Sequence, residues 1–417
     1  MSSDFAIWII AALAVGGVII RPFNSVEAVW AVGGAALLVV LRLITPAAAL
    51  AGIAKGTDVY LFLTGMMLLA EVARSEGLFD WLAALATRHA NGSAAKLFFL
   101  TYLVGTIVTV FLSNDATAVV LTPAVAAAAK TAKAAQPLPY LLICAFIANA
   151  ASFVLPISNP ANLVIYGSHM PPLLQWLPRY LPASAISIVV TYLLLRFTQR
   201  DVLRQNIANE VPLPRLSAGG KTAACGIAAT AMVLLAASAM DIRLGLPTFV
   251  AGVVTAAIVL LRQPAKIQEI ARDTTWGVLP LVAGLFVLVA ALNQTGVIAA
   301  TSALLRETAA HSVAVAAYGA GIAVAFASNL ANNLPVGLIA GSAIQSDHIA
   351  DQITRAILIG VDLGPNLSVT GSLATILWLG ALRREGQTVG AGAFLRLGAI
   401  VMPPALLLSI AGALLFK

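Results

Sequence analysis

The stretch FLSNDAT (residues 111–117) returns in the second half of the chain as FASNLAN (residues 326–332). Each copy ends an apolar run with small, hydroxyl and amide side chains, and each is followed by a proline, at Pro123 and Pro335. Self-similarity with the parts in the same order is the signature of an internal repeat. This internal sequence similarity therefore predicts that the chain is built from two copies of one structural unit.

A second polar break follows each copy and extends the repeat. It reads PISNPAN (residues 156–162) in the first half and GPNLSVTGS (residues 364–372) in the second. Upstream, SEGLF (residues 75–79) parallels QTGVI (residues 294–298). Because the order of the parts is the same and their spacing nearly so, we interpret the breaks as corresponding features of two halves.

Composition places these breaks in a membrane. The 417-residue chain is 60% hydrophobic and 10% charged, and its mean hydropathy is +0.96, whereas a soluble domain is nearer half apolar and a quarter charged. Apolar runs recur along most of the chain, and several are shorter than the ~20 residues of a full span, so some are tilted, broken or re-entrant. We expect an all-α polytopic membrane protein, with about ten spans in one membrane domain.

Charge and cysteine content argue against a nucleic-acid-binding protein and against a metalloprotein. The net charge of +7 is spread over the loops between apolar runs, as is usual for cytoplasmic membrane loops. The sequence lacks the basic stripe with interleaved aromatic residues that would predict nucleic-acid binding. The two cysteines, Cys144 and Cys225, lie inside apolar runs without metal-ligand spacing. We therefore expect no nucleic-acid partner and no cofactor.

Basic residues set the expected orientation of the two halves. The central loop at 199–220 and its flanks are rich in arginine and lysine, which places them in the cytoplasm. Residues 74–96 and 130–133 are also basic, whereas their counterparts at 293–311 and 346–351 hold one arginine between them. Corresponding loops therefore favour opposite sides, which predicts an inverted-topology repeat. Ten crossings and two re-entrant hairpins then leave both termini in the periplasm.

The polar breaks divide each predicted half into a re-entrant hairpin and a broken transmembrane helix. Irregular backbone at membrane depth is tolerated where it is buried in protein or lines a polar cavity, so four breaks near the midplane predict a binding site. The predicted boundaries are a first repeat at 1–198 with a hairpin at 97–129 and a broken helix at 138–177, a cytoplasmic central loop at 199–220, and a second repeat at 221–417 with a hairpin at 312–345 and a broken helix at 351–383.

At these motifs the chain resembles a known family. FLSNDATAVVLTPAV (residues 111–125) and LGPNLSVTGSLATILW (residues 363–378) are similar to the paired signatures of ArsB permeases. These belong to the ion transporter superfamily, with NhaD-type sodium/proton antiporters and dicarboxylate and citrate carriers. The resemblance implies export of trivalent arsenite and antimonite across the bacterial inner (plasma) membrane, driven by proton entry, in some members with a soluble arsenical ATPase subunit. The family often has Asn and Lys where this chain has Asp362 and Asn366, which affects the expected coupling chemistry more than the fold.

Hydroxyl and amide side chains in the four breaks suit the implied substrates. Arsenite and antimonite near neutral pH are small neutral trihydroxides, which need hydrogen-bond donors and acceptors but no strong counter-charge. Amides and hydroxyls supply both, whereas a three-thiolate site would hold trivalent arsenic too tightly to release it. The expected substrate-binding residues are Ser113, Asn114, Thr117, Ser158, Asn159, Asn162, Ser328, Asn329, Asn332, Asn333, Asn366, Ser368 and Thr370.

Carboxylates inside apolar sequence are the expected proton carriers. Ionisable residues at membrane depth are costly and are functional candidates by default. Asp115 lies at the first hairpin tip and Asp362 at the edge of the last break; for both, the alternative is a cap on a half-helix. Glu71 is a third candidate, although Arg74 lies three residues further on and can pair with it.

Other functions fit parts of the pattern. An NhaD-like sodium/proton antiporter would use hydroxyls, amides and one or two carboxylates for sodium, and a dicarboxylate carrier would use positive helix ends at the hairpin tips. A membrane-embedded enzyme would need a catalytic constellation, such as Gly-x-Ser-x-Gly with His, and the sequence holds none. We therefore expect a transporter and not an enzyme, with the trihydroxides, protons and membrane lipid as its partners.

Overall fold

The protein is a bundle of helices. The computed structural model describes residues 3–22, 25–208, 213–346 and 349–415. Within these residues no strand forms, apart from one isolated bridge between Ser93 and Asn206. Among the described residues, eight helices are long and apolar enough to cross a membrane, and nine if the bent pair Pro46–Lys55 and Thr57–Ser75 is one span. The prediction of an all-α polytopic membrane protein is confirmed.

Each half of the chain is a run of helices with two interruptions. The first half contains α1 (Ser3–Ile20), α2 (Glu27–Val40), α3 (Pro46–Lys55), α4 (Thr57–Ser75), α5 (Leu78–His89), α6 (Ala94–Phe111), α7 (Asn114–Ala116), a π-helical turn (Thr117–Leu121), α8 (Thr122–Thr131), α9 (Leu138–Ala150), α10 (Pro160–Tyr166) and α11 (Leu173–Thr198). The second half contains α12 (Ala218–Ala239), α13 (Gly245–Arg262), α14 (Ile267–Asp273), α15 (Val278–Gln294), α16 (Val297–His311), α17 (Val313–Ala331), α18 (Asn333–Ser346), α19 (Asp351–Leu363), α20 (Leu373–Arg384) and α21 (Ala391–Leu415).

The helices of the two halves match in order and in packing. Helices α1 to α6 correspond to α12 to α17, the limb α7–α8 to α18, and α9, α10 and α11 to α19, α20 and α21. Helix α2 packs on α15, while its counterpart α13 packs on α4, and α11 packs on its own counterpart α21. Contacts that exchange between the halves in this way are those expected of a two-fold relation.

Small residues let the helices of the two halves approach closely. A Cβ in place of Gly65 on α4 would lie 2.3 Å from the carbonyl oxygen of Thr248 on α13, and a Cβ in place of Gly252 would lie 2.4 Å from the Gly65 carbonyl oxygen. Backbone contact of this kind drives association of spanning helices, because lipid removes most of the hydrophobic drive. The α4–α13 contact therefore depends on these two glycines.

The polar motifs create the breaks by capping new helices. The Ser113 hydroxyl accepts a hydrogen bond from the backbone of α7 at 3.1 Å, the Asn159 side chain from that of α10 at 3.0 Å, and the Ser372 hydroxyl from that of α20 at 3.1 Å. Asn332, with a φ of 67°, ends α17, and asparagine tolerates this left-handed conformation better than most residues. Each break therefore has a local cause in its sequence.

The central loop marks one face of the molecule. Its backbone donates from Ile207 to the Gly92 carbonyl oxygen at 2.9 Å and from Ala208 to the Ala132 carbonyl oxygen at 2.8 Å. The loop therefore covers the turn before α6 and the end of α8. The three basic stretches that the sequence places in the cytoplasm lie together on this face.

On the same face, Glu76 at the end of α4 forms a buried polar cluster. Its carboxylate accepts hydrogen bonds from Lys266 Nζ at 2.8 Å, Ser217 Oγ at 2.9 Å and Gln263 Nε2 at 3.3 Å. Burial acts to raise the pKa of this carboxyl, but the hydrogen bonds and the Lys266 charge outweigh burial and hold the pKa below its ordinary value. The cluster joins α4 of the first half to the start of α12 and the end of α13.

Glu76→Gln is expected to lower the free energy of unfolding by about 1–3 kcal/mol at neutral pH, because a charge-assisted hydrogen-bond network is lost. A carboxyl with a depressed folded-state pKa stabilises the fold above its unfolded value of about 4.3, and loses that contribution as the pH falls through the folded value. The difference in melting temperature between wild type and variant in detergent should be largest near neutral pH and vanish in acid. Glu385→Gln, at an exposed carboxylate, is the control; a Glu76→Gln deficit that does not change with pH would contradict this account.

Candidate functional site

The two hairpin tips and the two helix breaks meet at one small cavity, which we call the central cavity. Its volume is about 30 Å³, room for one or two water molecules. Its polar lining consists of Asn114, Asp115, Asn159 and Asn333. The apolar lining is Leu63, Pro160, Val278, Val282, Leu334, Leu373 and Ala374. Helices α7, α10, α18 and α20 all begin here, so each half supplies a hairpin tip and a broken-helix start.

Several polar groups at the central cavity are available to a ligand. Asn114 uses its Oδ1 to accept from the Asp115 backbone at 2.9 Å, and Asn159 uses its Oδ1 to cap α10. Within the part of the chain that the structure describes, the Asp115 carboxylate and the Asn333 side-chain amide have neither a hydrogen bond nor an ion pair to protein. The cavity therefore presents amide donors and acceptors beside one carboxylate.

Asp362 lies directly behind Asn159. The Asn159 Nδ2 donates to Asp362 Oδ1 at 2.7 Å, and the Ser152 hydroxyl lies 2.7 Å from Asp362 Oδ2. Asp362 is completely buried, and among the described residues it forms no ion pair. Both contacts of this carboxyl are neutral and both come from the first half, while Asp362 itself belongs to the second.

Where the two broken helices cross, they also contact each other through amide and hydroxyl groups. Asn149 Nδ2 donates to Asn366 Oδ1 at 3.0 Å, and Asn366 Nδ2 donates to the Phe146 carbonyl oxygen at 3.0 Å. The Ser372 hydroxyl donates to Asn149 Oδ1 at 3.3 Å, and Thr375 lies within 3.4 Å of Asn149 Nδ2. These buried bonds hold the start of α20 against the end of α9.

The sequence matches a family model described as a citrate transporter over residues 8–360, from α1 to α19. The chain belongs to the citrate transporter family. It is therefore a membrane transporter and not an enzyme, and its apolar helices make it a multi-pass protein of the bacterial inner membrane.

Relatives of this transporter include arsenical pumps. The chain is 28% identical to the arsenical pump membrane protein of Yersinia enterocolitica over 360 residues, and 28% identical to that of Escherichia coli K12 over 357 residues; each alignment covers 83% of both chains. The crystal structure of the YdaH transporter of Alcanivorax borkumensis superposes with a TM-score of 0.56 at 16% identity, covering 88% of this chain and 86% of that one. The resemblance to arsenical permeases is confirmed, and the superposition shows a shared fold.

Two larger cavities flank the central cavity of this family member. The first, of about 350 Å³, lies beside the end of α4 on the central-loop face, and its charged lining includes Arg74, Asp273 and Arg384. The second, of about 540 Å³, lies beside the start of α4, and its charged lining includes Lys55 and Arg243. Because α4 crosses the molecule, the cavities open on opposite faces. Matching helices line them: α4, α8, α14 and α20 in one, α15, α18, α3 and α10 in the other.

The central cavity adjoins the first of these and is separated from the second. It shares Leu63, Asp115, Pro160 and Val278 with the first cavity and no residue with the second. One helical turn further along α4, α10 and α18, the side chains of Val59, Leu163 and Leu338 line the second cavity. An apolar layer one turn thick therefore divides it from the central cavity.

Of the predicted site residues, four reach the central cavity and two reach only the first flanking cavity. Asn114, Asp115, Asn159 and Asn333 line the central cavity, and Ser113 and Glu71 line the first flanking cavity.

The remaining residues of the first half hold the breaks in shape. Thr117, in the π-helical turn, lies 2.8 Å from the Thr109 hydroxyl. Ser158 donates to the Val110 carbonyl oxygen at 3.0 Å. Asn162 Nδ2 donates to the Ser152 carbonyl oxygen at 2.9 Å, while its Oδ1 is buried with no protein partner among the described atoms.

In the second half, the Ser-Asn pair of FASNLAN (Ser328 and Asn329) lies inside α17 and not at the tip of the hairpin. Ser328 donates to the Val324 carbonyl oxygen of its own helix at 2.8 Å. The structural counterpart of Asn114 is Asn333, the first residue of α18, because α17 continues past Asn329 and ends at Ala331. The similarity of FLSNDAT and FASNLAN therefore runs about one helical turn out of register with the hairpins.

Asn329 instead organises the second break. Its Nδ2 donates to the Gly364 carbonyl oxygen at 2.9 Å, and its Oδ1 accepts from the Ser368 hydroxyl at 2.7 Å. Thr370 donates to the Asn329 carbonyl oxygen at 2.8 Å. Asn332 accepts from the start of α18 and leaves its buried Nδ2 without a protein partner among the described atoms.

Glu71 lines the first flanking cavity and is paired with Arg74. The Arg74 Nε donates to both Glu71 oxygens, at 2.9 and 3.1 Å, and Arg74 also pairs with Asp273 at 2.9 Å and Glu269 at 3.6 Å. This is the pairing that the three-residue spacing allows, and it ties α4 to α14 at the mouth of the cavity.

Sequence reasoning missed four polar residues of the crossing: Asn149, Ser152, Ser372 and Thr375. The first two lie in a long apolar run without a proline or a second Ser-Asn motif to mark them. The available signal was an asparagine, with a serine three residues further on, in an otherwise apolar stretch, since unpaired polar groups are costly at membrane depth.

Proposed function

We propose that this transporter exports trivalent arsenite and antimonite as neutral trihydroxides, in exchange for entering protons. The observation that carries the proposal is the lining of the central cavity, which offers three amides and one carboxylate and contains no lysine or arginine among its described residues. A citrate anion would meet a carboxylate there without a counter-charge, whereas a neutral polyhydroxy ligand can bond to the amides. The arsenical pump names of the relatives favour the same substrates.

Transport would proceed by alternating access around the central cavity. We propose that the halves are inverted repeats, so that the flanking cavities are equivalent paths on opposite faces. In the described state the central cavity adjoins the path on the central-loop face, which is the cytoplasmic face by its charge. Opening the layer at Val59, Leu163 and Leu338 and closing the first path would expose the same site to the periplasm.

Proton coupling is assigned to Asp115 and Asp362. Asp115 borders both the central cavity and the first flanking cavity, so a proton there and a substrate would occupy neighbouring positions. Asp362 lies one residue further from the cavity, behind Asn159. Carboxyls at membrane depth with neutral surroundings suit groups that cross between charged and neutral forms during a cycle.

Expression of this chain in bacteria that lack their own arsenite efflux is expected to restore growth in arsenite and antimonite and to lower the accumulated arsenic several-fold. Growth on citrate as carbon source is expected to be unchanged. A vector carrying the Asn333→Leu variant is the matched control. Citrate uptake without any change in arsenic content would contradict the proposal.

A further inference from the structure

Ser152 sits between two acceptors that compete for its single proton. Its Oγ lies 2.7 Å from Asp362 Oδ2 and 2.7 Å from the backbone carbonyl oxygen of Asn149. A hydroxyl has one proton to donate and two lone pairs that accept. Ser152 can therefore donate to only one of these oxygens at a time, and the two equal distances describe two alternative hydrogen-bond arrangements.

The other oxygen of Asp362 has no such alternative. Asn159 Oδ1 accepts from the Ala161 backbone N–H at 3.0 Å, and a backbone N–H can only donate, which fixes the orientation of the Asn159 amide. Its NH₂ group therefore faces Asp362 Oδ1, at 2.7 Å. Because an NH₂ group cannot accept, Asp362 Oδ1 has to remain an acceptor in both protonation states. A proton on Asp362 must therefore reside on Oδ2, facing Ser152.

We propose that Ser152 is the positioning residue that allows Asp362 to bind and release a proton in the dry core of the transporter. With Asp362 ionised, the Ser152 hydroxyl donates to Oδ2. When a proton binds Oδ2, the new O–H donates to Ser152 Oγ, and the Ser152 hydroxyl turns to the Asn149 carbonyl oxygen. One proton is gained, no bond between heavy atoms changes, and every polar atom keeps a partner in both states. The proposal rests on the proposed coupling role of Asp362.

The residues packed around α19 leave Ser152 and Asn159 as the groups that determine the protonation of the Asp362 carboxyl. Ser152 and Asp362 are both completely buried. Helix α19 is surrounded by α9, α10, α11, α17, α18 and α21. Among the described residues, Ser152 just after α9 and Asn159 just before α10 are the only groups that interact with the Asp362 carboxyl. The charged groups of α19 and α11 pair elsewhere: Arg355 with Asp351 at 3.0 Å, and Arg179 with Asp351 at 3.3 Å. The tyrosines Tyr166 and Tyr180 bond to each other at 2.7 Å.

This rotation of the Ser152 hydroxyl, which we call the switch, connects protonation of Asp362 to both broken helices. Asn159 lines the central cavity and holds Asp362 Oδ1. The carbonyl of Asn149, which gains a hydrogen bond when Asp362 is protonated, belongs to the residue whose side chain bonds to Asn366 in the break between α19 and α20. Protonation therefore changes the bonding at the crossing of the two halves without placing a charge there.

The test is infrared difference spectroscopy of the purified transporter in lipid, following the carboxyl C=O band of Asp362 as the pH is varied, with Asp362→Asn to identify the band. Ser152→Ala is expected to move the midpoint of the band to higher pH by about one to two units, because the ionised form loses a stronger hydrogen bond than the neutral form does. Ser152→Thr, which keeps the hydroxyl, is expected to restore the wild-type midpoint. Ser187→Ala removes a neighbouring buried hydroxyl that donates to the Ala150 carbonyl oxygen at 2.8 Å and should leave the midpoint unchanged.

An Asp362 band whose midpoint is the same in wild type and Ser152→Ala would overturn the switch while leaving Asp362 as a proton site. The absence of any band that Asp362→Asn removes would overturn the coupling role of Asp362 itself, and the switch with it. If Ser152→Ala fails to fold, Ser152→Cys supplies the same comparison with a weaker donor, and the midpoint should again move to higher pH.

Discussion

Asp362→Asn is expected to abolish proton-driven accumulation of arsenite, by at least about a hundredfold, while the protein remains folded. Asparagine has the shape of the neutral acid: its oxygen can accept from Asn159, and its NH₂ can donate to the Ser152 hydroxyl, so both buried contacts of the native carboxyl are kept. What is lost is the ability to exchange a proton, which locks the site in the equivalent of its protonated state. The measurement is arsenite accumulation in everted membrane vesicles against an imposed pH gradient.

Two companion measurements make the Asp362→Asn result interpretable. Its melting temperature should stay within a few degrees of wild type, whereas Asp362→Ala should destabilise the protein by about 1–3 kcal/mol, because the buried NH₂ group of Asn159 loses its acceptor. Downhill exchange of arsenite should survive in Asp362→Asn, since the central cavity is untouched. Wild-type accumulation by this variant would remove Asp362 from the coupling mechanism.

Asn114→Leu and Asn333→Leu are each expected to raise the KM for arsenite about tenfold or more. Both residues begin a hairpin limb at the central cavity, one from each half. Leucine is close to asparagine in size but neither donates nor accepts, and a site that loses one hydrogen bond to a hydroxyl loses about 1–3 kcal/mol of binding. The measurement is the concentration dependence of arsenite flux in vesicles with equal amounts of each variant.

The comparison between these two variants tests whether one site is shared by both halves. Asn293→Leu, in the second flanking cavity, is the matched control and is expected to change the KM by less than about threefold, because it lies away from the central cavity. If only one of the two hairpin asparagines affects the KM, the substrate does not bind where the two tips meet.

The architecture was accessible from the sequence because its causes are local. Serine and asparagine at the start of a polar break cap the next helix, so motifs such as PISNPAN announce both the break and the helix that follows. The apolar composition indicated the class of protein, and the order of the breaks predicted two halves with corresponding parts.

The register of the site was not accessible in the same way. FASNLAN looks like the counterpart of FLSNDAT, yet α17 runs through it and ends only at Asn332, since that asparagine takes the left-handed conformation that stops the helix. Ser152 and Asn149 lie inside plain apolar sequence, and their partners Asp362 and Asn366 are about two hundred residues away along the chain. Cross-half pairing of this kind is decided by how two broken helices cross, which no local pattern in one half encodes.

The most direct test of the central claim is arsenite flux in liposomes that contain only the purified chain, in sodium-free buffer, with and without an imposed pH gradient. We expect arsenite to move against its gradient when protons flow the other way, without sodium and without an ATPase subunit, and we expect Asp362→Asn to lose that movement. Liposomes that move citrate or sodium but leave arsenite where it was would contradict the account.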